Sequence, residues 1–161
     1  MEIFAGPRPI LELANGTLFL VIIIFLHGTG LRIISKRYTK LWAGVTSKTA
    51  IWKINVILAI VISGLTALHL VETLLWALPI YLLGAIPALR DAYFFVLESY
   101  TTLGAGNVTL PDDWRLIGPV IAMSGLFTFG WTGSVLVGIM TEFGRLDHER
   151  ARNPDNAQPK D

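Results

Sequence analysis

The chain has 161 residues, 53% of them hydrophobic and 16% charged, with a mean hydropathy of +0.57 and a net charge of +1. Soluble domains carry about a quarter charged residues, so this composition points away from a soluble globular protein. The small net charge gives no signal for nucleic-acid binding, and the absence of cysteine excludes disulfides and thiolate metal sites.

The first apolar segment runs from about Ile10 to Leu31, with Glu12 near its start and His27 near its end. It lacks a basic leader and a small-residue cleavage site, so it reads as a retained transmembrane helix rather than a signal peptide. Residues 1–34 form this first unit and residues 35–50 a basic linker. Six of the 13 basic residues and no acid fall between Arg32 and Lys53, which places this stretch on the cytoplasmic side. The N-terminus is then outside and the C-terminus inside, in a multi-pass protein of the cell membrane, with the bacterial inner membrane as the expected site.

The second segment stays apolar from Ile51 to Ile86, interrupted by Lys53, His69 and Glu72. It is longer than a bilayer requires, and Pro79 is expected to end or kink it. The third, Leu116 to Met140, is 25 residues without an Asp, Glu, Lys, Arg or His. Each is long enough to span, since about 18 or more apolar residues suffice. Trp42 and Trp52 are expected at the inner interface, and Trp76 and Trp114 at the outer one. Residues 51–141 thus form a second domain and residues 142–161 a charged tail, read as a short helical extension that becomes disordered.

Between the second and third segments lies an outer region with unusual chemistry. Ala88 to Tyr100 suits a helix opened by Pro87, with Asp91 in its first turn. Thirteen residues reach only about 20 Å, short of a bilayer, so the helix enters without crossing. The following "TTLGAGN", Thr101 to Asn107, must return as extended chain. Irregular backbone at that depth is tolerated where protein buries it or where it lines a water-filled path. Gly104 and Gly106 can take positive φ without a Cβ clash, which turns successive carbonyls to one side. Four copies around an axis would stack carbonyl rings that replace an ion's hydration shell, with the Thr102 hydroxyl adding one more ring.

These residues resemble the filter of the pore-loop potassium channel superfamily, which reads TVGYG followed by an acid. The resemblance covers about Ile51 to Met140 and is to a small bacterial member with one extra N-terminal helix. It implies that Thr101, Thr102, Leu103, Gly104, Ala105, Gly106 and Asn107 form the filter. It implies further that Glu98, Phe94 and Phe95 support it from behind, with Glu98 paired to Asn107. Ala105 stands where relatives carry tyrosine or phenylalanine, and Asn107 where they carry aspartate. Strict potassium selectivity is therefore the property these two departures affect.

The expected fold class is an all-α membrane protein with three transmembrane helices, a re-entrant pore helix and a filter loop, assembled as a homotetramer. The expected function is passive potassium conduction, with no enzyme chemistry, no cofactor, and no metal beyond permeant cations at the filter. Its partners are other copies of itself, the bilayer and monovalent cations, not nucleic acid. The alternatives are a weakly selective sodium/potassium channel and a non-conducting structural or regulatory subunit. A membrane enzyme using His27, His69 and Glu72 ranks last.

Further residues have a plain reading beside the functional one. Asp112 and Asp113 suit an outer ring of negative charge at the mouth, or an N-cap for the third helix. Gly125 and Gly130 are candidate hinges, although small residues also permit close helix packing. His69 and Glu72 lie three apart on one helix face and could begin a metal site or act as a proton sensor; they are read as an interhelical hydrogen-bond pair, because the sequence offers no further ligand beside them. His27 has no evident companion. No helix carries regularly spaced arginines, so a voltage sensor of that kind is absent.

Overall fold

The structure, a computed structural model, describes residues 9–104 and 106–152. Four α-helices follow in chain order: α1 (Pro9–Trp42), α2 (Ile51–Leu82), α3 (Leu89–Tyr100) and α4 (Ile117–Arg152), with a 3-10 turn over Asp112–Trp114 before α4. No strand occurs among the described residues. The helices α1, α2 and the Asp112–Arg152 stretch are each long and apolar enough to cross a membrane. The fold is therefore all-α with three spanning-length helices and one short helix between the second and third, which makes this a multi-pass membrane protein.

One helix outruns the boundary expected from charge, and another carries the helical extension expected of the tail. The α1 helix continues through Arg32, Lys36, Arg37 and Lys40 to Trp42, so the linker is shorter than residues 35–50. Lys and Arg are good helix formers, and a charged stretch can extend a helix beyond the bilayer. The α4 helix likewise continues past Met140 to Arg152, where Arg145 bridges Glu142 and Glu149 one turn to either side. Residues 153–161 of the tail lie outside the described residues.

Pro79 does not end α2. The helix runs on to Leu82 with Pro79 inside it. A proline removes a single backbone donor, and membrane helices accommodate this loss. Termination comes at Gly84, which sits at φ +71°. The Ala85 amide donates to the Ile80 carbonyl (3.1 Å) and the Gly84 amide to that of Tyr81 (3.0 Å). This is a Schellman turn with glycine at its left-handed position.

The helices divide between two compact units. One comprises the described part of Met1–Gly28 together with Leu68–Phe129. Its helices each bury one stripe. Ala92, Val96 and Tyr100 recur every fourth residue on α3, and Ile117, Val120, Ile121, Ser124 and Thr128 follow a helical period on α4. From α1, Glu12, Gly16, Ile23 and His27 face the same interior. Gly16 permits a close approach, since a Cβ there would lie 3.0 Å from the Ile117 side chain. Trp76 fills the centre at 2% exposure, edge-on to Phe19 at 4.7 Å, and its indole N–H donates to Ser124 Oγ (3.3 Å). Trp76 is thus a core residue rather than the interfacial anchor its position suggests. Its indole finds a buried hydroxyl partner and needs no headgroup.

The second unit comprises Thr29–Ala67 and the described part of Gly130–Asp161. Tyr38, Trp42 and Phe143 stack in series at 5.5 and 4.7 Å. The Arg150 guanidinium closes the α1–α2 linker by donating to the carbonyls of Ser47 and Thr49. Large apolar side chains such as Ile10, Phe25, Ile51 and Val137 remain exposed along the helices, as suits surfaces that meet lipid or other apolar helices.

Candidate ion-path loop and its buried anchor

The α3 helix has 12 residues, about 18 Å, and stops in a second Schellman turn. The Leu103 amide donates to the Glu98 carbonyl (2.9 Å), and the Thr102 amide to that of Ser99 (3.0 Å). The residue in the left-handed position is Thr102, at φ +56°. A β-branched residue with positive φ is uncommon, and such strain collects at functional sites. Gly104 follows at φ +63°.

The sequence argument placed positive φ on Gly104 and Gly106. Gly104 has it, and Thr102 is left-handed as well, because the helix stop falls there. Gly106 is also needed for space, since a Cβ on it would lie 2.7 Å from the Glu98 carboxyl carbon. Ala105 lies outside the described residues.

Glu98 therefore stands directly behind the loop, against Gly106. No hydrogen bond joins it to Asn107 among the described residues, and Asn107 is exposed. An amide at 107 carries no charge to hold the carboxyl there, and the side-chain-free glycine lets it settle one residue earlier. A cavity of about 320 Å³ adjoins Glu98 and is lined by Phe95, Ser99, Thr102, Gly104 and Gly118 among others. Phe95 turns inward toward Gly118, while Phe94 is 49% exposed. Thr101, Thr102, Leu103 and Gly104 are all exposed on the protomer, Leu103 at 75%.

Behind the loop, Tyr100, the last residue of α3, is pinned at both ends. Its hydroxyl donates to Glu72 Oε2 (2.7 Å) and lies 2.5 Å from Thr128 Oγ1 and 3.0 Å from His69 Nδ1. The single phenolic proton serves Glu72, which leaves the oxygen's lone pairs open to a donor. Its carbonyl faces Gly125, where a Cβ would lie 2.8 Å from the Tyr100 carbonyl carbon. Gly125 thus acts as a close-packing glycine on α4, whereas nothing lies within 4 Å of a Cβ built on Gly130.

Glu72 also bonds His27 Nδ1 at 2.8 Å, and both side chains are fully buried. His27 therefore has a companion, contrary to the sequence reading. His69 sits 3.7 Å from Glu72 Oε2, so the pair legible on one helix face belongs to a larger group. Tyr100 and Thr128 were missed altogether. Each is separated from its partner by 28 residues, and no local pattern marks that pairing. The hint available was an apolar helix face carrying a tyrosine and a threonine, polar groups that need partners when buried.

Beyond the loop, Asp112 is 91% exposed and faces Arg115 at 3.5 Å. Neither Asp112 nor Asp113 caps a helix: the 3-10 turn has Pro111 at its N-cap and no side-chain cap bond. Instead the buried carboxylate of Glu12, from α1, accepts the Leu116 amide at 2.5 Å. A carboxylate suits the positive end of α4, and it reaches there from 104 residues away in sequence.

No curated protein and no solved structure matches the chain. Residues 68–142, which run from His69 and Glu72 through α3 and the glycine loop to the far half of α4, match a family model described as an ion channel, and the match supports an ion-channel domain over that stretch.

Proposed function

We propose that the protein is a homotetrameric cation channel conducting monovalent cations passively, with potassium as the principal permeant ion. One observation carries this reading. A helix too short to cross a bilayer ends in an exposed run of left-handed and glycine residues, while Tyr100 and Glu98 hold its back. A single protomer cannot enclose an ion with one such loop, and four loops around an axis can. The expectation that no cofactor takes part belongs to this proposal, as does the orientation with the N-terminus outside.

Relaxed discrimination between potassium and sodium belongs to the same reading. Alanine at 105 provides no ring to brace the filter, and Asn107 is not bonded to Glu98. Whether selectivity needs a rigid cavity or only enough carbonyl ligands is debated. Purified protein in liposomes, with reversal potentials measured under potassium–sodium gradients, tests both parts. Cation flux with a modest potassium preference is expected. Absence of flux from intact tetramers would favour the non-conducting subunit, and strong potassium selectivity would remove the role given to Ala105. A cysteine introduced at Lys40 should be protected from an impermeant thiol reagent in intact cells, and one at Asp112 should react.

A further inference from the structure

The chain has three histidines and no cysteine, and two of those histidines converge on one buried carboxylate. His27 comes from α1, and His69 and Glu72 from α2. One nitrogen from each imidazole and one oxygen of Glu72 all lie within 4.8 Å of one another. The His27 and Glu72 side chains are fully buried, and that of His69 is 12% exposed. A hydrogen-bonded His27–Glu72 pair accounts for two of these groups. The second imidazole joins the same group: its ring lies 5.3 Å from that of His27, its Nδ1 is 3.7 Å from Glu72 Oε2, and Phe129 backs it at 4.5 Å.

We infer that His27, His69 and Glu72 form a binding site for a transition-metal dication of the zinc class. Two imidazoles and a carboxylate are a donor set that suits Zn²⁺, Co²⁺ and related ions. At zinc bond lengths, ligands of a tetrahedral site sit about 3.3 Å apart. The His27–Glu72 edge, at 2.8 Å, needs only a small opening. The site leaves a fourth position for water, with the Tyr100 hydroxyl beside it, 3.0 Å from His69 Nδ1. Tyr100 is a positioning residue here, because its hydroxyl bond sets the orientation of the Glu72 carboxylate. Such supporting bonds typically alter metal affinity by about 10- to 100-fold.

Binding has a consequence for the loop. A metal that takes Glu72 and His69 as ligands weakens their hold on the Tyr100 hydroxyl, and with it the C-terminal end of α3. Occupancy is therefore expected to lower conduction. This consequence rests on the channel reading, whereas the binding itself does not.

The test uses the full-length protein, stripped with a chelator and titrated with Co²⁺ alone, following the visible bands of a four- or five-coordinate cobalt–imidazole site. One Co²⁺ per chain is expected, displaced by Zn²⁺. His27→Gln and His69→Gln should each weaken binding by at least about tenfold, and Tyr100→Phe by about tenfold, while His148→Gln binds as the native chain does. Size-exclusion profile and helical circular dichroism establish that each variant is folded; His69→Gln, at the partly exposed position, serves if His27→Gln is not. The absence of saturable binding would overturn the site, as would binding that survives both His27→Gln and His69→Gln or is lost with His148→Gln. Liposome flux separates the two readings: Co²⁺ binding as described, in a protein that passes no ions without metal, would leave the site standing and refute the channel.

Discussion

Gly125→Ala separates a packing role from a hinge role on α4. A Cβ at Gly125 would meet the Tyr100 carbonyl, 2.8 Å from its carbon and 3.2 Å from its Cα. Ordinary contact begins near 3.4 Å, and the Tyr100 carbonyl oxygen lies closer still than its carbon, so α3 and α4 must part by well more than about 0.6 Å at their crossing. Both partners are backbone, so no side-chain rotation relieves the clash. Overpacking costs about 1–3 kcal/mol, and a backbone-on-backbone contact belongs at the upper end of that range. The parting also strains the Tyr100 hydroxyl bonds to Glu72 and Thr128 on the far side of the same residue. Gly130→Ala is the internal control. Nothing lies within 4 Å of a Cβ there, and alanine is favoured over glycine within a helix by up to about 1 kcal/mol. Denaturation in mixed micelles should show Gly125→Ala destabilised and Gly130→Ala neutral or stabilised, and liposome flux should fall in the first variant. If Gly125→Ala unfolds at the native midpoint and alters only the open fraction, the packing argument is wrong and the hinge reading is right.

Gly106→Ala should displace the Glu98 carboxyl group and impair conduction, and Gly104→Ala should do so through the roughly 1–2 kcal/mol cost of a left-handed non-glycine residue; flux for each variant is the measurement. Tyr100→Phe removes the hydroxyl shared by Glu72, Thr128 and His69, and should cost about 1–3 kcal/mol in micelle denaturation, because it leaves buried polar groups short of a partner. Glu12→Ala deletes the cap on the Leu116 amide and should lower stability by about 0.5–2 kcal/mol, with hydrogen exchange rising at the start of α4 before it rises at the loop.

The spanning helices were legible because their signal is local. Twenty or so apolar residues in a row can hardly be anything else, and the short α3 was visible from the Pro87 start signal, Asp91 in its first turn and the glycine loop that follows. The lines that failed depended on contacts distant in sequence. Pro79 is a separate, local case: of the end or kink expected there, the end does not occur, and the helix stops instead at Gly84. Asp112 and Asp113 looked like caps because they precede α4, but a carboxylate from α1 took that position. His27 looked solitary because its partner lies 45 residues away. Hydrophobic periodicity says which face of a helix is buried, but not which polar group on a neighbouring helix will meet it.

The two Schellman turns show how much of the loop's character comes from a single residue. After α2 the left-handed position is held by Gly84, where nothing lies within 4 Å of a Cβ and the conformation is free of steric cost. After α3 the same hydrogen-bond pattern puts Thr102 there, a residue that opposes it. Strain of this kind persists only where the surroundings over-determine the backbone. Here they do. The Glu98 and Ser99 carbonyls hold the amides of Leu103 and Thr102. The Tyr100 hydroxyl is fixed by Glu72, and its carbonyl is pressed against Gly125. Glycine at 102 would satisfy the turn more cheaply and would leave no hydroxyl at the start of the loop. In the proposed tetramer that hydroxyl is the innermost oxygen ring, so the anchor built around Tyr100 holds a strained backbone in the place where its side chain can meet an ion.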